Sequence, residues 1–125
     1  MKKSKRNPFP KPTEAELAIL HILWRRGPST AREIQQEMGR AKTTVLTLLQ
    51  IMARKGLVQR DESTYAHVYE ACVSQDQTQK HLLGDIARRA FDGSTYQMVM
   101  KALSMKKLSE DELKEIYKIL ENYQT

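Results

Sequence analysis

The chain has 125 residues, 40% hydrophobic and 29% charged, with a formal net charge of +6 and a pI of about 9.5. That length suits one domain or two very small ones; no apolar run approaches the roughly 18–20 residues of a membrane span, and the early lysines are followed by no apolar stretch, so neither membrane insertion nor a secretory leader is expected. The single cysteine, Cys72, can close no internal disulfide and is too little for a zinc cage, so the expectation is a soluble, cytoplasmic chain without cofactor or structural metal.

The basic excess is concentrated at the start. Residues 1–12 hold Lys2, Lys3, Lys5, Arg6 and Lys11 without an acid, for +5, whereas residues 13–73 carry +1 and residues 74–125 carry 0. Where such charge lies says more about nucleic-acid binding than its total does. This arm reads either as a phosphate-binding strand or as a flexible, solubilising tail, and charge does not choose between them. Pro8, Pro10 and Pro12 keep a helix from beginning before Thr13.

TEAELAILHILWRRGP follows. Thr13 and Glu16 have the spacing of a reciprocal capping box, Leu17, Leu20, Leu23 and Trp24 form a helical stripe, and Gly27-Pro28 ends it. TARE repeats the box with Thr30 and Glu33 and opens a short helix that faces inward through Ile34 and Met38 and stops at Gly39. A third helix is predicted from about Ala41 to Lys55, closed by Gly56. Val45, Leu48, Leu49 and Met52 recur at i, i+3, i+4 and i+7 and define its buried face. Thr43, Thr47, Gln50 and Arg54 lie across from them. Leu46 lies near that polar face, as a contact for a thymine methyl or for the second helix.

LVQRDESTYAHVYEA reads as a β-hairpin, with a strand at 57–60, a turn at 61–64 and a returning strand at 65–71. Tyr65, His67 and Tyr69 alternate onto one side, and Tyr65 and Tyr69 are expected to pack on the domain edge. One hairpin beside three helices is an appendage, not the core of a sheet protein.

The remainder is helical throughout. Ser74 with Gln77, Ser94 with Gln97, and Ser109 with Glu112 open predicted helices at 75–91, 95–104 and 110–123. Leu113, Ile116, Tyr117, Leu120 and Tyr123 line one face of the last, and Met98, Val99, Met100 and Leu103 circle the middle one. Three such short helices bury little by themselves. Unpartnered apolar surface of this kind points to a symmetric dimer, with Leu82, Ile86, Val99, Leu103, Leu113, Ile116, Tyr117 and Leu120 as its candidate contacts.

Helix, short helix, tight turn, longer helix, hairpin is the order of a winged helix-turn-helix, which sets one helix in the DNA major groove. The expected class is all-α with a small hairpin wing: an arm at 1–12, a DNA-binding domain at 13–73 and a helical dimerisation domain at 74–125. Threonine can bond a base or phosphate and offer its methyl to thymine, and glutamine pairs with adenine. Thr43, Thr44, Leu46, Thr47 and Gln50 are therefore the candidate base contacts, and Arg40, Lys42, Arg54 and Arg60 the phosphate contacts. Ser63, Thr64, Tyr65 and His67 would lie at the wing tip, where Asp61 and Glu62 oppose phosphates. Enzyme readings find no footing, because His21, His67 and His81 are scattered and neither an HExxH spacing nor a glycine-rich phosphate loop is present. Two other readings stay open: a winged-helix adaptor for protein partners, and a redox or metal regulator acting through Cys72.

TEAELAILHILWRRGPSTAREI, TTVLTLLQIMARKGLV, AHVYEACVSQDQ and LSEDELKEI together resemble the BlaI/MecI family of bacterial penicillinase repressors, from about Thr13 to Leu120. The resemblance implies a homodimer whose winged domains occupy the half-sites of a dyad-symmetric operator of double-stranded DNA, controlling β-lactamase or other resistance genes. It also implies induction through a membrane sensor protease in the β-lactam branch. Three positions depart from the pattern. Leu46 stands where relatives often have a basic residue, Lys101-Ala102 stands where staphylococcal relatives have the cleaved Asn-Phe pair, and the cysteine-rich C-terminal motif of copper-responsive members is missing.

Overall fold

The computed structural model describes residues 9–123; most of the basic arm lies outside the described residues. Among the described residues, six helices and three short strands follow in the order α1 (Glu14–Arg26), β1 (Ser29–Thr30), α2 (Ala31–Met38), α3 (Lys42–Lys55), β2 (Val58–Asp61), β3 (Val68–Ala71), α4 (Gln75–Ala90), α5 (Thr95–Met105) and α6 (Glu110–Glu121). The described chain divides into two compact units within α4, between Leu82 and Leu83.

Capping chemistry sets where the helices begin. At α1, α2 and α6 the full reciprocal pair forms, Thr13 with Glu16, Thr30 with Glu33 and Ser109 with Glu112. The Ser74 and Ser94 hydroxyls accept from the Gln77 and Gln97 amides, both at 3.0 Å. Each cap satisfies amides that the first turn leaves without a helical partner and contributes about 1 kcal/mol.

The first unit has a genuine core. Ile19, Leu20, Ile34, Val45, Leu49, Met52 and Leu57 are wholly buried, joined by Ile22, Leu23, Val58, Tyr69 and Val73. Burial contributes about 1.5–3 kcal/mol for each large side chain taken out of water, so this cluster fixes the pose of α3. Trp24 packs beside it and donates its indole N–H to the Val73 carbonyl at 2.9 Å. Phe9 packs against the same core and stacks on the His81 ring, with centroids 4.0 Å apart, and Pro12 is buried. The end of the arm is therefore seated on the domain.

The sheet is three-stranded and antiparallel in the order β1-β3-β2. Two features differ from the sequence expectation. Ser29 and Thr30 pair with Tyr69 and Val68 as a third strand, and two residues carry no alternation by which to find them. The hairpin also opens earlier than expected: pairing ends at Asp61 with Val68, leaving residues 62–67 in the connection. Local bonds hold that connection, since Asp61 Oδ1 accepts from the Ser63 amide at 2.9 Å and the Thr64 hydroxyl donates to the Ala66 carbonyl at 2.6 Å. Such side-chain bonds compete with a ladder. Tyr65 therefore lies outside the strand and is fully exposed, against the expectation that it packs, while Tyr69 is buried.

The second unit is different in kind. Among its described residues only Ala87 is buried, whereas Ile86, Tyr96, Val99, Leu103, Leu113, Tyr117, Ile119, Leu120 and Tyr123 are exposed and Ile116 is half-buried. Among the described residues no helix is long and apolar enough to cross a membrane.

Candidate nucleic-acid interface

The turn between α2 and α3 is built on Gly39, whose φ of 71° and ψ of 24° lie in the left-handed region that a side chain disfavours. Its amide closes α2 on the Gln35 carbonyl at 2.9 Å. Arg40 and Ala41 then lead directly into α3. The α3 start is unusual in this chain: Ala41 is its N-cap, among the described residues no side chain caps it, and its first turn holds no acid. Ala41, Lys42 and Thr43 are exposed there, and the positive dipole end of a helix without an acid in its first turn suits an anion.

One side of α3 is locked and the other is open. Val45, Leu49 and Met52 are wholly buried, while Lys42, Thr43, Thr47, Gln50 and Arg54 are exposed. Thr44 and Leu46 flank that open face and are half-buried. Of the sequence-predicted base contacts, the structure thus brings Thr43, Thr47 and Gln50 together on one surface and sets Thr44 and Leu46 at its margins. Arg40, Lys42 and Arg54 make no ion pair among the described residues.

The wing meets this face in a groove of about 430 Å³ lined by Leu49, Gln50, Ala53, Arg54, Arg60, Glu62 and Tyr69. Arg60 is not idle there. Its guanidinium pairs with Glu62, and the neighbouring Tyr69 side chain first and Glu62 second raise its pKa. Ser63, Thr64, Tyr65 and His67 are exposed in the wing connection. Asp61 is held below the usual carboxylate range by its bonds to Ser63, the backbone amide first.

At the far end of α3, Lys55 Nζ lies 2.6 Å from Glu16 Oε1, the oxygen that also accepts from the Thr13 amide at 2.9 Å. The Glu16 side chain is only 2% exposed. Burial acts to raise its pKa, but the Lys55 bond, the Thr13 bonds and the Lys55 charge prevail and hold it below its ordinary value. A capping residue of α1 thus also anchors the end of α3, a tie the sequence reading missed because capping already accounted for Glu16. A second tie joins α1 to α2: Arg26 pairs with Glu37 at 2.9 Å and Glu33 at 3.3 Å, and Arg25 also pairs with Glu37.

Cys72, just beyond β3, is exposed, yet partial desolvation of its thiol and then the Glu70 charge raise its pKa. That is the opposite of the depression an activated thiolate needs. Among the described residues no three His, Cys, Asp or Glu side chains are placed to hold a metal ion.

An amphipathic helix fixed by a core, entered through a left-handed turn and flanked by a three-stranded wing, defines a winged helix-turn-helix protein. Residues 12–122 match the penicillinase repressor family, and the chain belongs to it; the family is one of transcriptional repressors, not enzymes. The penicillinase repressor of Bacillus licheniformis is 24% identical over 119 residues, covering 92% of this chain and 93% of that one. The transcriptional regulator BlaI of Mycobacterium tuberculosis is 30% identical over 92 residues, 70% of this chain and 67% of its own. Among solved structures, a transcriptional regulator from Thermotoga maritima is similar at a TM-score of 0.48 and 22% identity, with 90% of this chain and 80% of that chain covered.

Proposed function

We propose that this chain is a homodimeric repressor that occupies a dyad-symmetric operator, each copy laying α3 in one major groove. The observation that carries the reading is the divided surface of α3. Val45, Leu49 and Met52 are wholly buried, while Thr43, Thr47, Gln50 and Arg54 stand together in solvent. Base contacts come from Thr43, Thr47 and Gln50, with Thr44 and Leu46 at the edge of the footprint. Phosphate contacts come from Arg40, Lys42, Arg54 and Arg60, with Ser63, Thr64 and Tyr65 at the wing tip.

The second copy is proposed to cover the apolar residues of α4 to α6, among them Ile86, Val99, Leu103, Leu113, Ile116, Tyr117 and Leu120. Leu82 is half-buried within the first unit and is a marginal member of that set. Two linked domains on one duplex raise affinity because the second binding event is intramolecular. A signal that loosens the C-terminal helices, from a membrane sensor protease or another inducer, would then release DNA without touching α3. Lys101-Ala102, at the position of the relatives' cut, lies inside α5. The proposed setting is the cytoplasm, and the regulated genes those of β-lactamase or another resistance function.

The test is the triple variant Thr43→Ala/Thr47→Ala/Gln50→Ala, footprinted on the chain's own promoter region. It is expected to lose the protected site while keeping its oligomeric state in sedimentation. Unchanged protection would remove α3 as the reading helix, and binding without steep salt dependence would favour a protein-docking role instead.

A further inference from the structure

The β2–β3 hairpin contains a single lysine or arginine, Arg60, and that side chain is already occupied. Across the strands Arg60 stands opposite Tyr69 in register, and its guanidinium pairs with Glu62. The hairpin has three acids. Asp61 is engaged by the Ser63 amide, and Glu70 accepts from the Gln59 side chain. Glu62 is the one that faces Arg60, and both line the groove shared with Gln50 and Arg54 of α3. A carboxylate therefore sits in the cleft where a DNA phosphate would have to meet the wing.

We propose that Glu62 is an internal competitor for Arg60, occupying the guanidinium until a phosphate of a well-seated duplex displaces it, so that Glu62 sets how weakly non-operator DNA is held. The assignment rests on the DNA-binding reading given above. Two features make exchange feasible. The Arg60 and Glu62 side chains are 45% and 54% exposed, and a pair so open to water is weak and readily traded. Tyr69, its cross-strand partner, is only 6% exposed, so the strand position that aims Arg60 stays fixed when Glu62 lets go. Sequence-independent affinity comes almost wholly from phosphate contacts. An arginine withheld from loosely bound duplex lowers that background more than it lowers binding to a site where α3 also reads bases.

The experiment compares wild type, Glu62→Gln, Arg60→Gln and the double variant on a short mixed-sequence duplex across a salt series. Glu62→Gln is expected to tighten this binding about 2- to 5-fold, the scale of one freed surface pair. It should also steepen the log–log salt slope by about 0.9, one additional phosphate contact. In the Arg60→Gln background the same substitution should gain less than about 1.5-fold, because the competitor has nothing left to withhold. An equal gain in both backgrounds would overturn the proposal in favour of simple charge removal, and so would no gain in either. Wild type that binds steeply with salt while Glu62→Gln is unchanged refutes this inference alone. Wild type with no salt-dependent duplex affinity refutes the DNA-binding reading and this inference with it.

Discussion

Replacing Lys55 by Met should both weaken the first unit and shrink its loss of stability on acidification. In the native chain Glu16 is 2% exposed and its Oε1 receives Lys55 Nζ at 2.6 Å and the Thr13 amide at 2.9 Å. Methionine preserves the length and packing of the stem but removes the cation. Breaking a fully buried pair costs about 3–5 kcal/mol. Because Lys55 is 30% exposed, water can enter and the expected loss is nearer to about 2 kcal/mol. In wild type the Glu16 pKa lies below its ordinary value. Its contribution is thus present above the unfolded pKa and fades as the pH falls through the folded one. Without Lys55 only the Thr13 bonds oppose burial, so the folded pKa rises and the loss on acidification shrinks. The gap between wild type and Lys55→Met should therefore narrow as the pH drops from about 7 to about 4, the carboxylate range. Urea melts followed by the fluorescence of Trp24, the single tryptophan, read this unit directly. A gap that is constant or widens on acidification would refute the reasoning, as would a loss under about 0.5 kcal/mol, the scale of an ordinary surface substitution.

Gly39→Ala should cost about 1 kcal/mol, because a Cβ there meets nothing within 4 Å and the penalty is the left-handed backbone alone; Gly39→Asn should cost less in the same melt. Gly84 lies inside α4, and a Cβ added there also meets nothing within 4 Å. Gly84→Ala should therefore stabilise by about 0.5–1 kcal/mol, and a lowered Tm would show that something packs on that glycine. Leu113→Asp or Ile116→Asp should yield monomers with poor operator affinity; sedimentation that still shows a stable dimer would contradict the assigned interface.

Much of this architecture is legible in the residues because local and tertiary signals agree. The capping pairs at Thr13, Thr30 and Ser109 place helix starts within a residue, and Val45, Leu49 and Met52 of the α3 periodic set are wholly buried in the core. What the residues conceal depends on contacts between distant segments. The Glu16–Lys55 tie joins residues 39 positions apart, and no helical or strand period encodes such a pairing. The strand at Ser29–Thr30 exists only because β3 is beside it. Tyr65 escapes the alternation rule because that rule presumes a strand, and the Asp61 and Thr64 side-chain bonds end the ladder first. For the interface, helical spacing separates the exposed Thr43, Thr47 and Gln50 from the half-buried Thr44 and Leu46, but the occupation of Arg60 by Glu62 follows from how the connection folds.

The near-absence of buried side chains in the second unit has a consequence in mass action. With Ala87 alone buried among its described residues, this unit has little internal core with which to fold. If a second copy supplies the missing contacts, its folding and its association become one equilibrium, and its apparent Tm rises with protein concentration. Dilution then does two things together: it removes the partner and unfolds the surface that would recruit one. Operator occupancy would consequently fall more steeply than in proportion to the number of chains present. The amount of protein in the cell becomes an input to the switch alongside any inducing signal.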